Sequence, residues 1–196
     1  FDTESRHMVL LCKNETGYRN LSYMVSQAYI EGFYIRPRID LDLLRAHSEG
    51  LIGLSACLAG EIPRRIINGD YDGAKAYALE MRDILGEGNF YLELQDHGIP
   101  DQTIVNRALL RMHNETGIPL VCTNDAHYLR KEDAESHDVL LCIQTGKTVD
   151  DENRMRYQPQ NFYLRSTEEM EELFSGYPDA VENTQRIADR CQLEFT

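Results

Sequence analysis

Short apolar runs that alternate with segments of helical period constrain this chain's fold more than any other feature. HMVLLCKN (7–14), GLIGLSA (50–56), NFYLELQDHG (89–98) and IPLVCTND (118–125) are brief, rich in branched and aromatic residues, and bounded by polar or turn residues, as buried strands are. Between the first two, YRNLSYMVSQAYIEGF (18–33) carries Leu21, Met24, Val25, Ala28 and Tyr29 at the spacing of one helix face. GEIPRRIING (60–69) predicts a short helix. DYDGAKAYALEMRDILGEG (70–88) predicts a longer one, with Asp70 as N-cap and Gly86 and Gly88 as stops. PDQTIVNRALLRMHNETG (100–117) is a helix that starts on Pro100 and Asp101. This order predicts an α/β fold with parallel strands and right-handed crossovers. Past residue 146 the pattern changes. Residues 147–166 read as an irregular loop with one short strand, and 167–195 as two acidic helices joined at SGYP.

A length of 196 residues suffices for one domain with a real core. No apolar run approaches the roughly 18 residues that span a bilayer, so no membrane role is expected. The five cysteines are odd in number, widely spaced and set in apolar runs, which fits reduced thiols rather than a disulfide framework. A formal net charge of −13 repels phosphate backbones, so any DNA would be held by other parts of a larger protein. The start FDTESRHMVLLCKN has no basic-then-apolar leader and no initiator Met, and is expected to be internal to something longer.

In parallel α/β arrangements, chemistry gathers at the carboxyl ends of the strands. Three runs end on metal-ligand types. In LELQDHG, Leu92 and Leu94 face one way while Glu93, Gln95 and His97 face the other; in TNDAHY, Asp125 and His127 stand two apart; in LSACLAGE, Cys57 lies just past the strand. Carboxylate oxygen with imidazole nitrogen is a set that Zn²⁺ or Mn²⁺ favours. Each residue also has a plainer role open to it. His97 could cap the helix that begins at Pro100, Asp96 could serve a turn, and Cys57 could be a buried thiol. His137 could reach back toward the strand mouth or simply pack. His7, His47 and His113, in a strand entry, an acidic loop and a polar helix face, are assigned nothing. The absence of G-x-S-x-G, Walker and G-x-G-x-x-G motifs removes the usual support for a hydrolase elbow or a nucleotide site.

HMVLLCKNETGYRNL, EGFYIRPRID, GLIGLSACLAGEIPR, NFYLELQDHGIPDQ, IPLVCTNDAHYLRKEDAESHDVLLCIQTGKT and NFYLRSTEEMEELF, in that order, resemble one family over nearly the whole chain. It is the PHP (polymerase and histidinol phosphatase) domain of the alpha, catalytic, subunits of bacterial replicative DNA polymerases of the polymerase III type. The resemblance implies a distorted (β/α)7 barrel with up to three metal ions at the strand ends. His97, Asp125 and His127 fall on ligand positions, and so, less directly, does Cys57. The family's opening H-x-H strand, Asp-His pair and Glu have no counterpart here. The chain is therefore expected to be the C-terminal two-thirds of the domain, a partial barrel without its N-terminal strands. Residues 1–146 would form the central part of the barrel, and 147–196 a helical part leading toward the polymerase palm. A metal site in this chain alone would be incomplete or empty.

The resemblance implies a cytoplasmic protein of the replisome whose partners are the rest of the alpha subunit, a proofreading exonuclease subunit, and DNA held by other domains. For the PHP domain two roles stay open. One is a metal-dependent phosphoesterase that supports 3′→5′ exonuclease proofreading. The other is a non-catalytic structural domain that stabilises the polymerase and docks a separate exonuclease. The parent would be a DNA-directed DNA polymerase, and this chain alone inactive.

Overall fold

A computed structural model of the chain describes residues 4–194. Strands β1 (Val9–Cys12), β2 (Leu51–Leu54), β3 (Phe90–Leu94) and β4 (Leu120–Cys122) form one sheet in that order. β2, β3 and β4 run parallel, as expected, with Leu54 opposite Tyr91 and Leu94 opposite Cys122. β1 departs from the expectation and runs antiparallel to β2, with Val9 opposite Leu54 and Cys12 opposite Leu51.

The excursion between the first two strands explains the reversal. Asn14 caps helix α1 (Glu15–Ile30), its side chain accepting from Gly17 N. α1 leads the chain away from the end of β1, and a second helix, α2 (Leu41–Ala46), which the periodicity did not flag, is capped by Asp40 on the return. The chain re-enters the sheet at Gly50, whose carbonyl accepts from Lys13 N at 2.8 Å. A β-carbon on Gly17 would lie 2.0 Å from the Gly50 oxygen, and Gly50 itself has φ +78°. Two glycines thus let the foot of α1 rest on the turn into β2, which starts β2 where β1 ended.

Side-chain alternation divides the core between the two faces of the sheet. Leu51, Phe90, Leu92, Leu94, Leu120 and Cys122 pack with Ile62 of α3 (Glu61–Ile67), Met81 of α4 (Tyr71–Leu85), and Leu109 and Met112 of α5 (Pro100–Thr116). Asp70 caps α4 through Gly73 N, and Gly86 follows its end, as read from the sequence. Full burial of each such aliphatic side chain contributes about 1.5–3 kcal/mol. On the opposite face, Ile52, Leu54, Tyr91 and Val121 pack with Ile187 of α8 (Pro178–Arg190). α8 is pinned by Asn183 Nδ2 donating to Leu120 O at 2.7 Å and by Arg190 Nη1 donating to Gly88 O at 2.7 Å. That face, inward in a barrel, is covered by a helix here, and the described residues form an open four-stranded sheet.

Beyond β4 come a 3₁₀ turn (Lys131–Asp133), α6 (Ala134–Thr145) and α7 (Thr167–Leu173), the last opened by a reciprocal Ser166–Glu169 capping box. The strand expected within 147–166 is reduced to one bridge, Tyr128 with Tyr163. The stretch is held instead by Arg154, whose Nη atoms both donate to Asp138 of α6 at 2.6 Å. Among the described residues no helix is long and apolar enough to cross a membrane.

Candidate metal centre

The floor of the strand mouth is a buried polar network on β3. Glu93 turns away from the hydrophobic face, and its backbone N donates to Ser55 Oγ at 2.8 Å. Its carboxylate accepts from Thr123 Oγ1 at 2.7 Å and from Ala56 N. Gln95 Nε2 donates to the same threonine oxygen at 3.0 Å. Burial pushes the Glu93 carboxyl above its ordinary range, the Thr123 and Ala56 hydrogen bonds oppose that rise, and the charge of Asp125 adds to it. The adjoining cavity, bordered by Ala56, Cys57, Gln95 and Gln102, is only about 10 Å³, room for one water at most.

His97 closes this floor. It is 1% exposed, its N–H donates to Gln102 Oε1 at 2.8 Å, and its Nδ1 lies 2.9 Å from Gln102 Nε2. A backbone N–H can only donate, so the Gln102 amide has its oxygen there and its NH₂ toward the ring. Nδ1 is then the acceptor, and Nε2–H donates to Asn124 O at 2.7 Å. Phe162 stacks on the ring at 4.2 Å and 10°. Burial lowers the His97 pKa, in keeping with a neutral ring. Both ring nitrogens therefore have protein partners, and ligation of a metal through Nε2 would require release of Asn124.

The TNDAHY segment is not extended as the two-residue spacing implied. β4 ends at Cys122, and Asp125 adopts φ 42°. Asn124 acts as a tie: its Oδ1 accepts from Arg165 Nη1 at 3.0 Å and its Nδ2 donates to Tyr163 O at 2.6 Å. The turn at Asp125 folds His127 back so that Nδ1 donates to Asp125 O at 2.7 Å. That contact fixes the proton on Nδ1 and leaves the Nε2 lone pair of a neutral ring open, the tautomer a metal-binding histidine uses. His127 is exposed where His97 is buried.

Cys57 lies past β2, next to Ala56, which has φ 62° without being glycine. Left-handed backbone at both Ala56 and Asp125 is strain concentrated at one strand mouth. Burial pushes the Cys57 thiol up, and the charges of Asp125 and Glu93 push it further. Asp125 acts likewise on Tyr157, whose pKa is raised first by burial. Asp125 is thus the common electrostatic neighbour of Cys57, Glu93, His97 and Tyr157.

The sequence reading missed two contributors. His7, assigned nothing, has Nδ1 3.7 Å from Cys57 Sγ, placed there by the His7 N to Ala59 O hydrogen bond of 3.1 Å. Residues 157–162 return across the mouth: Tyr157 meets His127 at 4.4 Å and His137 at 5.2 Å, and Phe162 O accepts from His127 N at 2.8 Å. His137 takes its place in this aromatic cluster. No local signal marks the return, because it pairs residues some thirty positions apart. The donor types suit zinc or manganese, yet among the described residues no three His, Cys, Asp or Glu groups converge closely enough to hold an ion. The residues present do not by themselves complete a metal site.

Comparison with known proteins agrees with the resemblance. A family profile for the PHP domain matches residues 1–97, which include Cys57 and His97 and stop short of Asp125 and His127. The chain is 50% identical over 187 residues to DNA polymerase III subunit alpha of Borreliella burgdorferi, covering 95% of this chain and 16% of that protein. It is 43% identical over 205 residues to the Helicobacter pylori subunit, covering 99% and 17%. The Thermus aquaticus subunit is 44% identical over 195 residues, covering 96% and 16%. The chain spans about one-sixth of the length of these relatives. Residues 1–97 match the PHP-domain profile, and nearly the whole chain is similar to one stretch of the bacterial DNA polymerase III alpha subunits.

Proposed function

We propose that this chain works as part of a bacterial DNA polymerase III alpha subunit, a DNA-directed DNA polymerase of the cytoplasmic replisome. Its strand mouth contributes Asp125, His127 and Cys57 to a Zn²⁺ or Mn²⁺ centre of up to three ions, completed by donors outside the described residues. The observation that carries the metal reading is the His127 tautomer, with Nδ1 held by Asp125 O and Nε2 left open. In this reading residues 1–146 belong to a (β/α)7 barrel of the PHP type and 147–196 lead toward the palm. His97 joins the ligands only where its ring leaves Asn124. A metal ion there would activate water for 3′→5′ cleavage of DNA.

A second reading has its own support. The closed hydrogen bonding of His97, with no three donors converging among the described residues, favours a structural domain that stabilises the polymerase and docks a separate proofreading exonuclease subunit.

Metal analysis of the full-length polypeptide tests the first reading. Wild type is expected to carry zinc or manganese, and Asp125→Ala and His127→Ala to carry less while still extending a primer. Unchanged metal content in both variants would refute the assignment. Exonuclease activity that disappears with the metal supports the hydrolytic role, and retention of metal without exonuclease activity supports the structural one.

A further inference from the structure

One irregular segment closes the strand mouth over both histidines. Residues 147–166, between α6 and α7, form no helix and pair with the rest of the fold through the single Tyr128–Tyr163 bridge. From this segment Asn161 Nδ2 donates to His97 O at 3.2 Å, and Phe162 stacks on the His97 ring at 4.2 Å. Tyr163 O and Arg165 Nη1 hold the two ends of the Asn124 side-chain amide at 2.6 and 3.0 Å. Asn124 in turn accepts from His97 Nε2 through its backbone carbonyl at 2.7 Å. Phe162 O accepts from His127 N at 2.8 Å, and the Tyr157 ring lies 4.4 Å from that of His127. The bond that uses up His97 Nε2 is therefore braced by residues far along the chain.

The same segment has an anchor outside the mouth. Arg154 donates from both Nη atoms to the two oxygens of Asp138 on α6 at 2.6 Å, a bidentate, charge-assisted pair. The Arg154 side chain is 3% exposed, and its Nε is buried with no partner. A buried donor left unmade costs stability, so the closed position carries a penalty that water lifts on opening. A segment held by polar ties and ring contacts, without helix or ladder, opens at a lower free energy than the core. We propose that residues 147–165 are a strap, latched by Arg154 on Asp138, that sets whether His97 Nε2 is available to a ligand. Closed, Tyr163 and Arg165 hold Asn124, and Asn124 occupies the ring. Open, Asn124 is released and His97 and His127 are presented together. The proposal rests on the reading of the mouth as a metal centre, where the strap decides when His97 can join Asp125 and His127 around a divalent cation.

Diethyl pyrocarbonate labelling of the full-length polypeptide, stripped of metal and mapped by peptide mass spectrometry, reads the availability of each ring. Alkylation of the buried Cys122 monitors unfolding in the same samples. In wild type His127 is expected to react several-fold faster than His97. Asp138→Asn, which removes the charge from the latch, and Asn161→Ala, which removes the tie to His97 O, are each expected to raise His97 labelling several-fold while Cys122 stays protected. Should Asp138→Asn expose Cys122 as well, Asn161→Ala alone decides. His97 reacting as fast as His127 in wild type would overturn the proposal, and so would His97 labelling that stays at the wild-type rate in the deciding variant or rises there only together with Cys122. Zinc content measured before stripping separates the two failures. His97 freed by the variants, with zinc content that Asp125→Ala leaves unchanged, defeats the metal centre alone. His97 that stays closed, while Asp125→Ala lowers zinc content, defeats the strap alone.

Discussion

Gln102→Leu tests the geometry on which the reading of His97 depends. The wild-type amide lies 4% exposed and makes two hydrogen bonds to one residue, accepting from His97 N at 2.8 Å and donating to His97 Nδ1 at 2.9 Å. Leucine has nearly the same volume, so little cavity forms, but a buried N–H and a buried ring nitrogen lose their partners. Each such orphan costs about 1–3 kcal/mol, so the substitution is expected to destabilise the protein by roughly 3 kcal/mol. For a chain of this size that is a fall of roughly 6–12 °C in melting temperature. The ring itself gives a second readout. Nitrogen NMR of wild type is expected to report His97 as the neutral Nε2–H tautomer, because Nε2–H donates to Asn124 O. Burial lowers its pKa, so its contribution to stability is complete above the ordinary histidine pKa of about 6.5 and is lost as pH falls from there through the folded value. A melting temperature within a degree or so of wild type, or an Nδ1–H tautomer in wild type, would refute this account and return His97 to the set of open metal ligands.

Three further outcomes are expected. Gly17→Ala forces a β-carbon to within 2.0 Å of the Gly50 carbonyl oxygen, a backbone atom that cannot swing aside, and should cost at least about 2 kcal/mol; the check is the urea midpoint together with amide exchange at Lys13 and Leu51. Glu115 has its pKa held down to about 2 by hydrogen bonds from Lys75, Arg111 and Tyr71, so its stabilisation is present above about 4.5 and is lost as pH falls toward 2. Melting temperatures across that range should therefore fall more steeply for wild type than for Glu115→Gln, and parallel curves would count against the cluster. Burial pushes the Cys122 thiol up to about 12, so alkylation at pH 8 should reach it only after unfolding, and rapid labelling in the folded protein would contradict its position in the core.

The sequence determined the four strands, most of the helices and the strand ends where polar groups collect, because these follow from local periodicity, from caps such as Asp70 and from stops such as Gly86. It also pointed to Asp125, His127 and Cys57 at one end of the sheet. The charge of Asp125 acts on Cys57 and Tyr157, while the ligand roles themselves await the metal measurement. Tertiary structure alone decided the rest. The antiparallel entry of β1 depends on Gly17 meeting Gly50, thirty-three positions away, and no pattern within either segment records it. Two histidines that looked alike as strand-end ligands became opposites: His97 spends both ring nitrogens on Gln102 and Asn124, and His127 keeps Nε2 open because Asp125 turns left-handed. Asn124 and Asp125, just past the end of β4, likewise divide their work. Asn124 ties His97 to Arg165 and Tyr163, and Asp125 sets the local field. A side chain's residue type is set locally, but the partners that use up its donors and lone pairs arrive from distant parts of the chain, so the availability of each group is settled only when the fold closes.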